Sequence, residues 1–278
     1  MNGSHLEPFC ELKELRFLTV SELTGVPDCL GRELLHLQYL DLRGNRFTTS
    51  LPSSLGNLKE LVEVIGFEQN VYEYAPPFHC RSLQCRPTYE TLFQESGEKG
   101  ENTWICGGLS QDLSTMPFFG ARKLEKFWWD MNDLTATPEF FIKAVASWPS
   151  LRTLDLYDNR IRVSILALEP LKKLRHLRQV LIQRNFLHGT LDAAFFTDWP
   201  EQWTVLNIAL NGELGGCLSP KSIPRWLELF HAGSRVRVDE SCGSQGPEHS
   251  SWGMPPAAMG SREMASHFGH APDEKDEL

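Results

Sequence analysis

Asp155 and Asp158 are the closest approach to a catalytic pair in the sequence, two carboxylates three residues apart in a stretch of alternating apolar residues. Two carboxyls in one site can divide acid and base duties, provided desolvation separates their pKa values. On an open strand face both would stay hydrated at ordinary carboxylate values, so surface solvation is the expectation. His79, Cys80, Cys85 and Cys106 form a second group of chemically able residues. The gap between Cys80 and Cys85 suits zinc, but no second close pair completes a four-ligand set. The sequence has no phosphate-cradling glycine loop ending in Lys-Ser/Thr, no His-Glu-x-x-His and no glycine-framed nucleophilic serine. No catalytic residue, metal or cofactor is therefore expected. An enzyme would require a pocket built by the stretch between Tyr72 and Gly120.

Two further features concern compartment. Cys217 and Cys242 bracket the end of the patterned region and would tie down a C-terminal cap in an oxidising environment, the alternative being two buried thiols. The chain ends Lys275-Asp276-Glu277-Leu278, the type of tetrapeptide read by the receptor that returns proteins to the endoplasmic reticulum. That signal acts only in the lumen. The first 25 residues carry Glu7, Glu11, Lys13, Glu14 and Arg16 without an apolar core, unlike a signal peptide. The expectation is a lumenal protein whose natural start lies upstream of Met1, with a cytoplasmic chain and a coincidental ending as the alternative.

The elements that carry these residues repeat. Asparagines at 45, 70, 132, 159, 185 and 211 stand at steps of 25, 62, 27, 26 and 26 residues, each behind an apolar ladder. The ladders read Leu37-x-x-Leu40-x-Leu42, Val62-x-x-Ile65-x-Phe67, Leu124-x-x-Phe127-x-Trp129, Leu151-x-x-Leu154-x-Leu156, Leu177-x-x-Val180-x-Ile182 and Trp203-x-x-Leu206-x-Ile208. Residues two apart in an extended segment share a face, so each ladder supplies an inward row that only a neighbouring copy can bury. The 62-residue step spans about two repeats, and Asn102 with Trp104 is the expected degenerate coil within it. Leu18, Ser21 and Leu23 read as a worn first repeat in which serine replaces the asparagine.

This pattern resembles the leucine-rich repeat family. The resemblance implies an α/β fold: a curved solenoid with a parallel concave β-sheet and a helical or irregular convex side. It also implies that Asn45, Asn70, Asn132, Asn159, Asn185 and Asn211 form a hydrogen-bonded ladder up the stack. Phe47 to Leu58, with Leu51-Pro52-Ser-Ser-Leu55-Gly56, looks like the plant-type repeat, and Leu23 to Gly31 like a shortened copy. Later coils read as helical, with Thr137 capping Pro138 and with Phe141, Val145 and Trp148 at helical spacing.

The expected organisation is one solenoid over residues 1–242, with an insertion at about 73–120 and a cap at about 217–242. The Gly-, Ser- and Pro-rich segment 243–278 is expected to be disordered. A net charge of −9 argues against a nucleic-acid surface. No apolar run approaches the roughly 18–20 residues that span a bilayer. What remains is a non-catalytic scaffold for protein–protein interaction, with a secreted recognition module or an accessory subunit of an endoplasmic-reticulum enzyme as alternatives. The outward strand positions place Trp128 and Tyr157 amid Asp130, Asp155 and Asp158, beside Lys126, Leu181 and Arg184. Aromatic and arginine anchors dominate interface energetics, so this zone is expected to bind a basic protein or peptide. Leu181, Val205, Ala209 and Leu210 form a second, apolar zone on the last coils, whose end near Leu210 is expected to be covered by the segment around Trp226, Leu227 and Leu229.

Overall fold

Among the described residues, fourteen short strands carry the architecture. They are β1 (Phe17–Thr19), β2 (Tyr39–Asp41), β3 (Glu63–Ile65), β4 (Asn70–Glu73), β5 (Cys85–Pro87), β6 (Trp104–Gly107) and β7 (Lys126–Trp128). They continue as β8 (Thr153–Asp155), β9 (Gln179–Leu181), β10 (His188–Leu191), β11 (Val205–Asn207), β12 (Glu213–Leu218), β13 (Glu228–Phe230) and β14 (Arg235–Val238). In this computed structural model the described residues are 3–45, 47, 50–66, 70–73, 85–87, 104–107, 109 and 111–242. They lie within one unit, Met1–Ser244. The tail from residue 243, with Lys275, Asp276, Glu277 and Leu278, lies outside the described residues, as do Phe67, His79, Cys80 and Asn102.

Eight strands form one sheet in the order β1-β2-β3-β7-β8-β9-β11-β13, every pair parallel. Each strand opens one coil, and the inward residue of each coil stacks on the next. Leu18, Leu40, Val64, Phe127, Leu154, Val180, Leu206 and Leu229 are consecutive register partners. Those from Leu40 to Leu206 are fully buried. Full burial of one such side chain stabilises by roughly 1.5–3 kcal/mol, which no isolated coil could obtain.

The asparagine side chains stitch the coils. Asn159 Nδ2 donates to Trp129 O of the coil before at 2.7 Å, while its Oδ1 accepts from Leu134 N at 3.1 Å. Asn185 and Asn211 repeat both bonds, and Asn45 does the same with Val20 O and Leu23 N. Backbone groups where the chain turns off each strand are thereby satisfied in the interior.

The third coil is read one residue too far: Val64, not Ile65, pairs with Leu40 and Phe127. Its ladder is Leu61-x-x-Val64-x-Gly66. Gly66 lacks a rung because Trp129 of the next coil fills the space; a methyl group on Gly66 would fall 2.5 Å from that ring. Asn132 donates to Gly66 O at 2.7 Å, as Asn159 does to Trp129 O. Asn70 is off the spine, in β4 opposite Gly107 of β6.

No degenerate coil adds a strand between β3 and β7, which pair directly. Trp104 instead begins β6, the middle strand of a small antiparallel sheet, β4-β6-β5. The insertion also ends before residue 120. Leu113, Met116 and Phe118 are buried in the core, on the convex side of coil three. There Gly120 meets Gly56 O, and a methyl group on Gly56 would lie 2.8 Å from Pro117 O. Glycine at these positions lets the convex turns stack backbone to backbone.

The first coil places Leu23, not Ser21, where the asparagine belongs. The residue before the asparagine is left-handed in coil after coil, and in coil one that residue is Glu22 (φ 62°). Serine does replace asparagine at the other end. Gly233 (φ 72°) precedes Ser234, whose Oγ donates to His231 O as Asn211 Nδ2 donates to Ile208 O. The segment expected as a cap thus contains an eighth coil with its own strand, β13, and β14 pairs with β12 of a second parallel sheet. Cys217 and Cys242 are joined by a disulfide across this coil, and Cys10–Cys29 joins the first turn of chain to helix α1 (Cys29–Glu33). Helix α2 (Pro138–Ser147) follows Thr137, whose hydroxyl meets Ser114 Oγ at 2.9 Å instead of capping the helix. It buries Phe140, Phe141 and Ala144, and Val145 is only half-buried.

Candidate functional site

The outward column at the end of each strand reads Thr19, Asp41, Ile65, Trp128, Asp155, Leu181, Asn207 and Phe230, each the register partner of the next. Asp41, Asp155 and Asn207 share one local turn. The side-chain Oδ1 accepts the backbone N–H two residues on, from Arg43 at 3.0 Å, Tyr157 at 3.0 Å and Ala209 at 3.2 Å. Short polar side chains of this kind close the chain at the end of a strand.

Their charge environments differ. Asp41 is completely buried, and Arg43 grips it through Nε, 2.8 Å from Oδ2, and Nη2, 2.7 Å from the same oxygen. Asp155 is 8% exposed and lies between Trp128 and Leu181 on the flanking strands. No ion pair reaches it among the described residues. Burial pushes its carboxyl up to about 6, with the Tyr157 N–H pulling the other way. The expectation that this carboxylate would remain hydrated is overturned: neighbouring coils desolvate it although it faces outward.

Asp158 is satisfied separately. Arg184 Nη1 lies 3.7 Å from Asp158 Oδ2 and donates to Tyr157 Oη at 2.7 Å, with the guanidinium 5.6 Å from the phenol ring centroid. Burial raises the Tyr157 phenol above its usual value, opposed by Arg184. Asp158 and Arg184 are left-handed (φ 51° and 55°), as are Met131 and Leu210 (φ 51° and 57°). Gly44 and Gly233 take the same conformation without a Cβ penalty. This backbone recurs in seven of the eight coils, so its strain at Asp158 and Arg184 is no mark of function.

The structure therefore gathers Trp128, Asp130, Asp155, Tyr157, Asp158, Leu181 and Arg184 on three consecutive coils. Lys126 is nearby but engages Glu63 at 3.2 Å. Glu63 is the register partner of Lys126 and of Tyr39 on the coil before, and Val64 beside it is buried. At the far end, Gly233 lies directly over the Leu210 side chain, and Leu210 N donates to Ala232 O at 2.7 Å. The last apolar zone is thus covered by coil eight. Gln183 is the residue sequence reasoning missed: it is 8% exposed, and its Oε1 is buried without a hydrogen-bond partner among the described residues. Trp128 Nε1 is in the same condition. The Asp41–Arg43 pair and Cys10–Cys29 were missed too; the Asp-x-Arg spacing at a strand end was the only available signal for the former. Among the described residues, no cluster of His, Cys, Asp and Glu could hold a metal, and no helix is long and apolar enough to cross a membrane.

Residues 36–58, which span the strand and convex turn of coil two, match the family profile described as Leucine Rich Repeat. Among solved structures, the Arabidopsis receptor kinase HAESA in complex with the peptide hormone IDA and the co-receptor SERK1 aligns with a TM-score of 0.55 and 19% identity, covering 83% of this chain and 31% of that one. A TDR receptor aligns at 0.51 with 13% identity over 82% of this chain and 36% of its own. The plant peptide hormone receptor RGFR1 in complex with RGF2 aligns at 0.50 with 18% identity, over 82% and 37%. The chain spans about a third of the length of these structures. A search of curated proteins finds no match. The parallel sheet, the asparagine spine and these matches define the fold: this chain is built as a leucine-rich-repeat solenoid. At such low identity the likeness to the receptors is one of fold.

Proposed function

We propose that the chain is a non-catalytic recognition scaffold whose concave face binds a basic peptide or protein segment across coils four to six, centred on Trp128, Asp155 and Tyr157. The observation that carries this reading is Asp155, a nearly buried carboxylate flanked by Trp128 and Leu181 and reached by no cation among the described residues. A desolvated charge of this kind is costly in the free protein and repaid when a partner brings the opposite charge. Asp130 and Asp158 extend the acidic character, and Tyr157 adds an aromatic surface suited to an interface anchor. One fold relative is described in complex with a peptide hormone and another as a peptide hormone receptor, which supports a peptide as the ligand class.

The test is selection of phage-displayed random peptides on the wild-type chain, followed by affinity measurement on a Trp128→Ala/Tyr157→Ala double variant shown to be folded by circular dichroism. Selected peptides should be rich in Arg or Lys and should bind the variant at least about tenfold more weakly, or about 1.4 kcal/mol. Peptides that bind both proteins equally would overturn the reading.

The working compartment on this reading is the lumen of the endoplasmic reticulum. The Cys10–Cys29 and Cys217–Cys242 bonds support an oxidising environment, and Lys275-Asp276-Glu277-Leu278 is the matching type of retrieval signal. Titration of thiols in the denatured, unreduced protein should leave those four cysteines protected. Seven reactive thiols would place the chain in the cytosol.

A further inference from the structure

We infer that Asp155 receives a single arginine side chain of the bound segment, its guanidinium lying against the carboxylate as that of Arg43 lies against Asp41. The inference rests on the recognition reading above and names the chemistry at its centre. The molecule supplies its own template. Asp41 and Asp155 occupy the same column, make the same bond to the backbone two residues on, and are both buried. In coil two that next residue is Arg43, which places Nε and Nη2 on the carboxylate. In coil five it is Tyr157, whose hydroxyl is taken by Arg184. The position that Arg43 fills beside Asp41 is left without its cation beside Asp155.

The surroundings favour a guanidinium over an ammonium. Trp128 and Leu181 are the register partners on either side of Asp155, and a planar, weakly hydrated cation stacks on such surfaces at lower desolvation cost than a compact lysine head. Gln183, two residues beyond Leu181, presents the buried Oε1 that lacks a partner. Acceptors on two neighbouring coils suit the several donors of a rigid fork. The other charged groups facing this region are engaged: Asp158 with Arg184, and Lys126 with Glu63. Asp130 on the coil of Trp128 adds negative charge and opposes no arriving cation.

Nuclear magnetic resonance of the full chain, with 13C-labelled aspartate side chains, tests this directly. The probe is the blocked tripeptide acetyl-Gly-Arg-Gly-amide at millimolar concentration, with its citrulline and lysine counterparts as controls. The arginine peptide should shift the Asp155 carboxyl resonance and lower its titration midpoint, and its binding should weaken about tenfold per pH unit below that midpoint. Citrulline should have no effect and lysine a smaller one. Tyr157→Arg, which supplies the cation from within the chain, should lower the Asp155 midpoint without any peptide and abolish the response. Should that variant fail to fold, Asp155→Asn carries the test, because Asn207 already occupies the equivalent place in coil seven. An equal response to citrulline or lysine, or undiminished binding by either variant, overturns the inference. A peptide that perturbs the concave face while leaving Asp155 unmoved overturns it too, yet leaves the recognition reading standing.

Discussion

Coil two and coil five set an aspartate at the same point of the same sheet, closed by the same backbone bond, and treat its charge in opposite ways. Asp41 is neutralised from within its own strand end by Arg43. Asp155 has Tyr157 at that place, and its ionisation is opposed by burial. Coil seven shows a third solution, Asn207, which keeps the bond to Ala209 N and carries no charge. A repeat protein thus contains its own controls: backbone and neighbours recur, so a difference in one side chain can be read almost in isolation. The lesson is that the charge on Asp155 is dispensable to the turn, since asparagine closes it equally well. Moving its carboxyl from 3.8 to about 6 corresponds to roughly 3 kcal/mol of stability withheld at neutral pH.

The comparison breaks most severely when coil two is made to resemble coil five. Arg43→Ala leaves Asp41 buried without its cation and should cost about 4 kcal/mol in urea unfolding at pH 7.5. A loss within 1 kcal/mol would mean that Arg43, half exposed at its own side chain, is not what holds that charge. Next in size, Asp155→Asn should stabilise the free protein by up to about 3 kcal/mol at pH 7.5 while weakening capture of basic peptides. The direction follows from linkage. The folded-state pKa lies above the unfolded one, so the wild-type contribution is complete below about 3.8 and is lost as pH rises through about 6. The advantage of the variant should therefore vanish near pH 3.5, grow between about 4 and 6, and stay level above. A variant less stable than wild type at pH 7.5 would contradict this account.

Converting coil two to the coil-seven solution sharpens the contrast. Asp41→Asn/Arg43→Ala removes both charges and keeps the turn, so about 2 kcal/mol of the Arg43→Ala loss should be recovered. The smallest effect belongs to Lys126→Ala. Its pair with Glu63 is partly exposed, and the substitution should shift stability by less than about 1 kcal/mol. It should strengthen no peptide, because Lys126 is already engaged with Glu63.

The coil array was legible because a period of two within each strand and an asparagine at each turn recur together, a combination one strand cannot supply. Legibility failed where coils compensate one another. Gly66 broke the apolar pattern, so the reading slid to Ile65 and Phe67, whereas Trp129 of the next coil provides the missing volume. A ladder read coil by coil cannot register a rung donated by its neighbour. The eighth coil was hidden for a similar reason: His231 and Ser234 stand where an aliphatic residue and asparagine are expected, and the strand register, the left-handed Gly233 and the hydrogen bond between them expose the equivalence. At the site, Trp128, Asp155 and Tyr157 could be nominated from strand alternation. Their desolvation could not, because it depends on which residues the adjoining strands bring alongside.

Coil three carries a consequence of its own. Its strand is hydrogen-bonded on both sides, Gly66 N reaches Trp128 O at 2.8 Å, and the convex turn from Leu113 to Gly120 packs on the turn before it. The insertion is thus bounded by two anchored segments, and the rungs of coils two and four stack through Val64 between them. That junction is a socket: a foreign hairpin, an epitope or a fluorescent reporter spliced there should be carried without altering the pitch of the stack.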